Sequence, residues 1–189
     1  MYTLLHEYIV KKTAVSDLEF DELQRFFTHK AFKSNEFVLM SGEVCRFIYF
    51  VNSGCLRFYT TNESGQEMTR YFAFENKFGT ALTSFITQEP SFESIQCLEN
   101  TELLAIARKD FYALVETRPP VNLLYRDMLE MAYVTSQRRI YGLQGETAIE
   151  RLRWLLNYQP TIFKRVSSKV IATYLGVTTY TLSRLKAEL

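Results

Sequence analysis

The chain has few of the residues that build metal centres. Two histidines, His6 and His29, and three cysteines, Cys45, Cys55 and Cys97, are scattered over 189 residues. No histidine lies near a cysteine or near the other histidine, so a structural zinc site, a cupin-type metal site and a Ser-His-Asp triad all lack raw material. The odd number and irregular spacing of the cysteines match neither a zinc ribbon nor a disulfide framework, and reduced thiols in a cytoplasmic protein are expected. Seven glycines and four prolines are too few for a long disordered tail or a linker-dominated chain. No apolar run approaches the roughly 18 residues of a membrane span. The opening MYTLLHEYIVKK carries its charge after a short apolar stretch, unlike a secretory signal. Membrane and secreted readings are excluded, and no metal, cofactor or catalytic group is expected: the chain reads as a non-enzyme.

Large side chains are plentiful. Fifteen Phe, 12 Tyr and 1 Trp stand within a composition that is 47% hydrophobic and 23% charged. That is an ordinary soluble balance with ample material for a core, and the length allows one large or two small domains. The net charge of +1 hides a division. Residues 1–134 hold 13 Lys and Arg against 18 Asp and Glu, and residues 135–189 hold 9 against 3. A basic final third on an acidic body is the pattern of a nucleic-acid-binding module appended to another domain, or of a solvated basic face.

Along the chain, Ser16 and Glu19 make a capping box for a helix over Ser16–Thr28, with Leu18, Leu23, Phe26 and Phe27 on one side. His29 reads as a residue at the end of that helix. The period then becomes strand-like: Phe37–Met40, Arg46–Val51, Cys55–Thr60, Met68–Phe74, Phe92–Leu98 and Glu102–Ala107 are short, aromatic and β-branched. Turn chemistry separates them at Lys33-Ser34-Asn35, Ser41-Gly42-Glu43, Asn52-Ser53-Gly54 and Asn62-Glu63-Ser64-Gly65. Short strands at this spacing predict an antiparallel sandwich or jelly roll. Lys109–Thr117 reads as a helix stopped by Arg118-Pro119-Pro120. A longer helix, Val121–Tyr141, places Val121, Leu124, Met128, Met131 and Thr135 at steps of 3 and 4, the spacing of a coiled-coil seam. Such a stripe packs either on its own domain or on a partner. Gly142 and Gly145 punctuate, and Thr147–Tyr158 forms an amphipathic helix carrying Trp154.

The most specific signal lies in SSKVIATYLGVTTYTLSRLKAEL. Ile171, Leu175, Val177, Leu182 and Leu185 supply apolar contacts between two short helices. Ala172 permits a close crossing, Gly176 sits at the turn, and Thr178 can N-cap a second helix from Thr179. This is a helix-turn-helix pattern, whose second helix enters the DNA major groove. Thr179, Tyr180, Ser183 and Arg184 stand on its exposed side with Lys186 further along, and Arg is the commonest reader of guanine. The plainer reading is a helical hairpin that only packs; the charge asymmetry favours DNA.

The order of parts resembles the Crp/Fnr family of bacterial transcription regulators. The resemblance runs over nearly the whole chain and is strongest in GEVCRFIYFVNSGCLRFY, FENKFGTALTSFITQEPSFESIQCLENTELLAI and IATYLGVTTYTLSRL. It implies an α+β fold: an N-terminal antiparallel β-roll or jelly roll of the cyclic-nucleotide-binding type (1–118), a long dimerisation helix and hinge (119–142), and a small C-terminal helix-turn-helix domain (143–189). It implies a homodimer through Val121, Leu124, Met128, Met131 and Thr135, with two recognition helices in successive major grooves. Cyclic-nucleotide-responsive members keep a Gly-Glu pair on the ribose and an Arg-Ser or Arg-Thr pair on the cyclic phosphate. Here the corresponding stretch is Gly79-Thr80-Ala81-Leu82-Thr83-Ser84 and the later pair is Glu93-Ser94. A carboxylate 4 Å from a phosphate is repelled by about 4 kcal/mol at an effective dielectric near 20. Cyclic AMP in the family's pose is therefore not expected; the pocket is empty, closed over its own side chains, or adapted to another ligand. The cysteine group of the oxygen-sensing members and the axial ligands of the haem-binding members are also missing.

Arg184 matches an arginine common in the family, whereas Thr179 and Tyr180 replace charged residues. The stretch QPTIFKRV is short for a two-stranded wing, so one strand or a trimmed loop is expected, with Lys164, Arg165 and Lys169 as DNA-backbone contacts beside Lys186. The expected function is a cytoplasmic, sequence-specific DNA-binding regulator. The partners implied are double-stranded DNA, a second copy, RNA polymerase and an unidentified small-molecule effector. The alternative is a ligand-binding β-roll whose helix-turn-helix is vestigial and acts through protein contacts.

Overall fold

A computed structural model describes all 189 residues. They divide into two units: Met1–Phe58 with Phe72–Glu130, and Tyr59–Tyr71 with Met131–Leu189. Two helices open the chain, α1 (Thr3–Lys12) and α2 (Asp17–Leu23), the second started by the Ser16–Glu19 capping box. Phe20 and Leu23 are the buried residues of α2, and Leu18 faces solvent. The helix expected over Ser16–Thr28 ends in one 3₁₀ turn, Gln24–Phe26, and gives way to strand β1 (Phe27–Phe32). His29 is therefore a strand residue opposite Leu104, its ring 3.7 Å from the Glu102 carboxylate. Pairing with a distant strand overrides the weak local helical pattern.

The other strands are β2 (Phe37–Leu39), β3 (Phe47–Ser53), β4 (Leu56–Thr61), β5 (Glu67–Ala73), β6 (Phe78–Gly79), β7 (Ser94–Cys97) and β8 (Thr101–Ala107). A six-residue helix, α3 (Leu82–Thr87), lies between β6 and β7. One sheet has the order β1-β8-β3-β6, the other β2-β7-β4-β5. In the first sheet β8 runs antiparallel between β1 and β3, with Phe27 opposite Ile106 and Phe50 opposite Leu104. The spacing of the turns predicted an antiparallel sandwich or jelly roll and the family resemblance a β-roll, and these two sheets agree with both.

Strands β3 and β8 are apolar on both faces, and Ile48, Phe50, Leu103, Leu104 and Ile106 are almost wholly buried. Such a continuous run needs a cover on each face. Helix α1 contributes to it: Leu5 and Ile9 are buried, and the Tyr8 ring meets Phe50 and Phe78 edge-on at 5.7 and 5.4 Å. Gly79, in β6 of the same sheet, is buried, and a Cβ there would stand 2.7 Å from the Phe58 ring. Helix α4 (Arg108–Thr117) follows, and Phe111 and Tyr112 pack against Tyr125 at the start of the next helix.

That helix, α5 (Pro119–Gly145), has 27 residues and begins with the proline pair, which a first turn tolerates because its N–H groups need no helical acceptor. It runs through Gly142 to Gly145, further than the expected stop at Tyr141. The rest of the second unit comprises α6 (Ala148–Tyr158), α7 (Ile162–Arg165), α8 (Ser168–Leu175) and α9 (Thr179–Ala187). Leu152, Leu155, Ile162, Ile171, Leu175 and Leu182 form its core. No helix is long and apolar enough to cross a membrane.

Candidate nucleic-acid interface and the β-roll cassette

Helix α8 opens on Ser167, whose hydroxyl accepts from the Val170 N–H, and closes on Gly176 at φ 70°. An L side chain at that left-handed position would be strained, so glycine sets the turn. Thr178 then caps α9 by accepting from the Thr181 N–H at 3.0 Å. Ile171, Ala172, Leu175 and Leu182 interlock at 0–2% exposure and fix α9 against α8.

With Leu182 turned inward, the opposite side of α9 is set. Thr179, Tyr180, Ser183 and Arg184 are all exposed, Tyr180 to 72%. These four lie on one helical face. Lys186 stands beside them with its ammonium 4.3 Å above the Phe163 ring of α7, whose next residues are exposed Lys164 and half-buried Arg165. The contact brings the basic end of α9 to the basic end of α7. Lys169 is exposed on α8. The segment expected as one strand or a trimmed loop is the single helical turn α7, because Ile162 is drawn into the core. Thr147, expected as the first residue of α6, is its N-cap, in a reciprocal box with Glu150. Hydrogen bonds from Thr147 hold the Glu150 carboxyl below the usual carboxylate range. The Thr-x-x-Glu spacing was the available signal.

The stretch 79–84, termed the cassette because it corresponds to the nucleotide-binding cassette of the family the chain resembles, lies at the junction of β6 and α3. Here the polar groups point inward. Thr80 donates to the Phe47 carbonyl at 2.9 Å and meets the Cys45 sulfur at 3.2 Å. Ser84, 3% exposed, donates to the Glu89 carbonyl and accepts from the Cys45 N–H at 2.9 Å. Gln88, at φ 60°, closes α3 with its amide on the carbonyls of Cys45 and Phe85 at 3.1 and 3.0 Å. Ser94 accepts from the Ser41 N–H, and Glu93 is buried at 4% exposure. Leu82 is half-buried and Thr83 exposed. No buried side-chain polar atom in the protein lacks a partner. Gly79, Thr80, Ser84, Glu93 and Ser94 thus belong to the internal framework of the roll.

The neighbouring thiols are equally enclosed. Cys45, Cys55 and Cys97 are free and buried, and burial pushes the Cys97 thiol up to about 11, so it stays protonated and unreactive. No group of three or more His, Cys, Asp or Glu side chains is placed to hold a metal ion.

On α5 the expected seam divides. Val121 and Leu124 are 6% and 5% exposed, Met128 and Thr135 are half-buried, and Met131 is 51% exposed. Val121 and Leu124 are buried within the single chain and offer a partner almost no surface. The exposed apolar residues of α5 are Leu123, Met131, Tyr133, Val134, Ile140, Tyr141 and Leu143.

Residues 29–118 match the family model of the cyclic nucleotide-binding domain. The cyclic AMP receptor protein of Thermus thermophilus is 27% identical over 103 residues, which is 54% of this chain and 47% of that protein. The chain therefore spans about half the length of the curated relative it matches. Among solved structures, FixK2 from Bradyrhizobium japonicum superposes with a TM-score of 0.76 at 17% identity, covering 86% of this chain and 84% of that one. A protein from Eubacterium rectale assigned as a transcriptional regulator of the Crp/Fnr family gives 0.71 at 18% identity, covering 91% and 82%.

Proposed function

We propose, from the match of residues 29–118 to the cyclic nucleotide-binding domain model and a fold like that of Crp/Fnr regulators, that this protein is a DNA-binding transcription regulator, works as a homodimer, and does not take cyclic AMP as its signal. The observation that carries the DNA reading is the outer face of α9. Thr179, Tyr180, Ser183 and Arg184 project together while the inner face is locked by Leu182, and no carboxylate interrupts the helix. Arg184 is suited to a bidentate contact with guanine, and Thr179 to a thymine methyl or a phosphate. Tyr180 and Ser183 suit phosphate or sugar, and Lys164, Arg165, Lys169 and Lys186 neutralise backbone charge.

The cassette supports the second half of the reading. A cyclic phosphate entering it would find Thr80, Ser84 and Ser94 already hydrogen-bonded to protein and a buried carboxylate at Glu93. Opening those bonds to seat a ligand leaves buried partners unsatisfied, at about 1–3 kcal/mol for each.

The homodimer is supported by the exposed apolar residues of α5, whose burial against a second copy would remove them from water. The partner lies on the side of Tyr133, Val134, Ile140 and Tyr141 and not on Val121 and Leu124.

The test is a selection from random duplex oligonucleotides with the ligand-free full chain at about 0.15 M salt, where the non-specific background is moderate. A two-fold symmetric consensus with half-sites about 10 base pairs apart is expected. Absence of any enrichment, with and without a small-molecule extract, refutes the DNA reading. Calorimetric titration with cyclic AMP is expected to give no saturable heat.

A further inference from the structure

Three guanidiniums line one small cavity in the second unit. Arg138 and Arg139 come from the last turns of α5, Arg151 from α6, and Glu146, Trp154 and Tyr174 share the lining. Arg151 is held rigidly: it donates to the Leu175 carbonyl at 3.1 Å and to the Glu146 carbonyl at 2.6 Å, so it ties α6 to the ends of α8 and α5. Arg139 donates to the Thr69 carbonyl at 2.7 Å and lies 4.4 Å over the Tyr174 ring. Arg138 reaches the Glu146 carboxylate at 2.6 Å and faces Trp154 at 5.2 Å. One carboxylate thus stands among three guanidiniums, and the lining keeps an excess of positive charge. Burial, and behind it the charges of Arg70 and Arg151, lowers the Arg139 pKa, while Tyr174, hydrogen-bonded to the guanidinium, opposes that shift. An anion in the cavity would add to the Tyr174 side of that balance.

The floor of the cavity is Gly142. A Cβ there would lie 3.2 Å from Glu146 Oε2 and 3.3 Å from Arg138 Nη1, tighter than ordinary contact. Glycine inside a helix weakens it relative to alanine, and at Gly142 a methyl group would press on the ends of these two side chains. The volume, about 30 Å³, holds roughly two water-sized groups. A nucleoside is far too large. Four phosphate oxygens exceed that volume, so a tetrahedral oxyanion would enter with two oxygens toward the guanidiniums, the bidentate geometry that arginine recognises best, and keep the other two at the mouth.

We propose that this cavity is a binding site for a phosphate group, either inorganic phosphate or the phosphate end of a small metabolite whose remainder stays outside. An occupant bonded to Arg138 and Arg139 on one side and Arg151 on the other clamps the end of α5 to α6 and α8. Anion binding here is independent of the DNA-binding reading, since none of its residues is among the groove or backbone contacts proposed above.

The experiment is calorimetric titration of the full chain at low ionic strength, where charge pairing is least screened, with inorganic phosphate, adenosine monophosphate and, as control, chloride at matched ionic strength. Saturable binding of one phosphate per chain is expected, with no response to chloride. Equal affinity for both phosphates identifies phosphate itself as the ligand; tighter monophosphate binding identifies a phosphomonoester. Gly142→Ala, which fills the floor without changing charge and favours the helix, and Arg138→Gln should each weaken binding about tenfold or more, the loss expected for a hydrogen bond to a charged group. Absence of binding by either phosphate overturns the proposal, as does binding that neither substitution alters.

Discussion

The β6–α3 cassette and the α8–α9 pair are both rich in hydroxyls, yet they use them in opposite ways. In the cassette, Thr80, Ser84 and Ser94 are buried and bonded to the roll's own backbone. In the helix pair, Thr179, Tyr180 and Ser183 face solvent, while the buried positions are apolar without exception. The first arrangement stiffens a scaffold; the second leaves donors and acceptors available to a partner. The fold alone does not decide which hydroxyls stay available; the difference is visible in which of them are already bonded.

The strongest blow to this contrast is structural. Leu182→Ala empties a fully buried position beneath the α9 face and should cost about 2–5 kcal/mol. Thermal unfolding should show a lowered transition for the second unit, with DNA binding lost. Ser84→Ala attacks the other region. It strands the Cys45 N–H and the Glu89 carbonyl and should cost about 1–3 kcal/mol of stability while leaving operator affinity unchanged. A loss of operator affinity at full stability would show that the cassette is a working site. Arg184→Ala reverses the pattern: no change in melting, a loss of about 1–3 kcal/mol on the best operator, and relaxed preference at one base pair in a competition assay. Equal losses on specific and random duplexes would make Arg184 a phosphate contact.

The smallest effect concerns pH. Glu150 has its carboxyl lowered from 4.5 by the Thr147 hydrogen bonds. Its contribution to stability is therefore complete above the unfolded value and lost as pH falls through the lowered folded value. Glu150→Gln should remove a small part of the acid sensitivity of the second unit, seen by circular dichroism below about pH 4.5, and change nothing near neutrality.

Much of the fold was legible because its signals are local. The turn clusters at 33–35, 41–43, 52–54 and 62–65 bound real strands, and the capping box at Ser16 and the glycine at 176 sit where the backbone needs them. Misreadings arose where distant partners decide. Phe27 and Thr28, expected in the preceding helix, and His29, expected at its end, all pair with β8, and β6 and α3 are too short to leave a period. In α5 the 3–4 spacing correctly located an apolar stripe through Val121 and Leu124, but spacing says nothing of what covers it. Those two residues are already buried within the single chain.

The arginine cavity was the least legible feature. Arg138, Arg139 and Arg151 registered only as part of a basic third, and their convergence depends on α5 continuing past Gly142. The sequence by itself determined the class of fold, the helix-turn-helix and the identity of its outward residues, because helix caps, turns and apolar periodicity act between residues close in the chain. Only the tertiary structure decided that the cassette is bonded to itself, that part of the seam faces inward, and that three guanidiniums enclose one cavity. Burial, hydrogen-bond satisfaction and charge proximity belong to residues brought together from far along the chain, and no local pattern carries them.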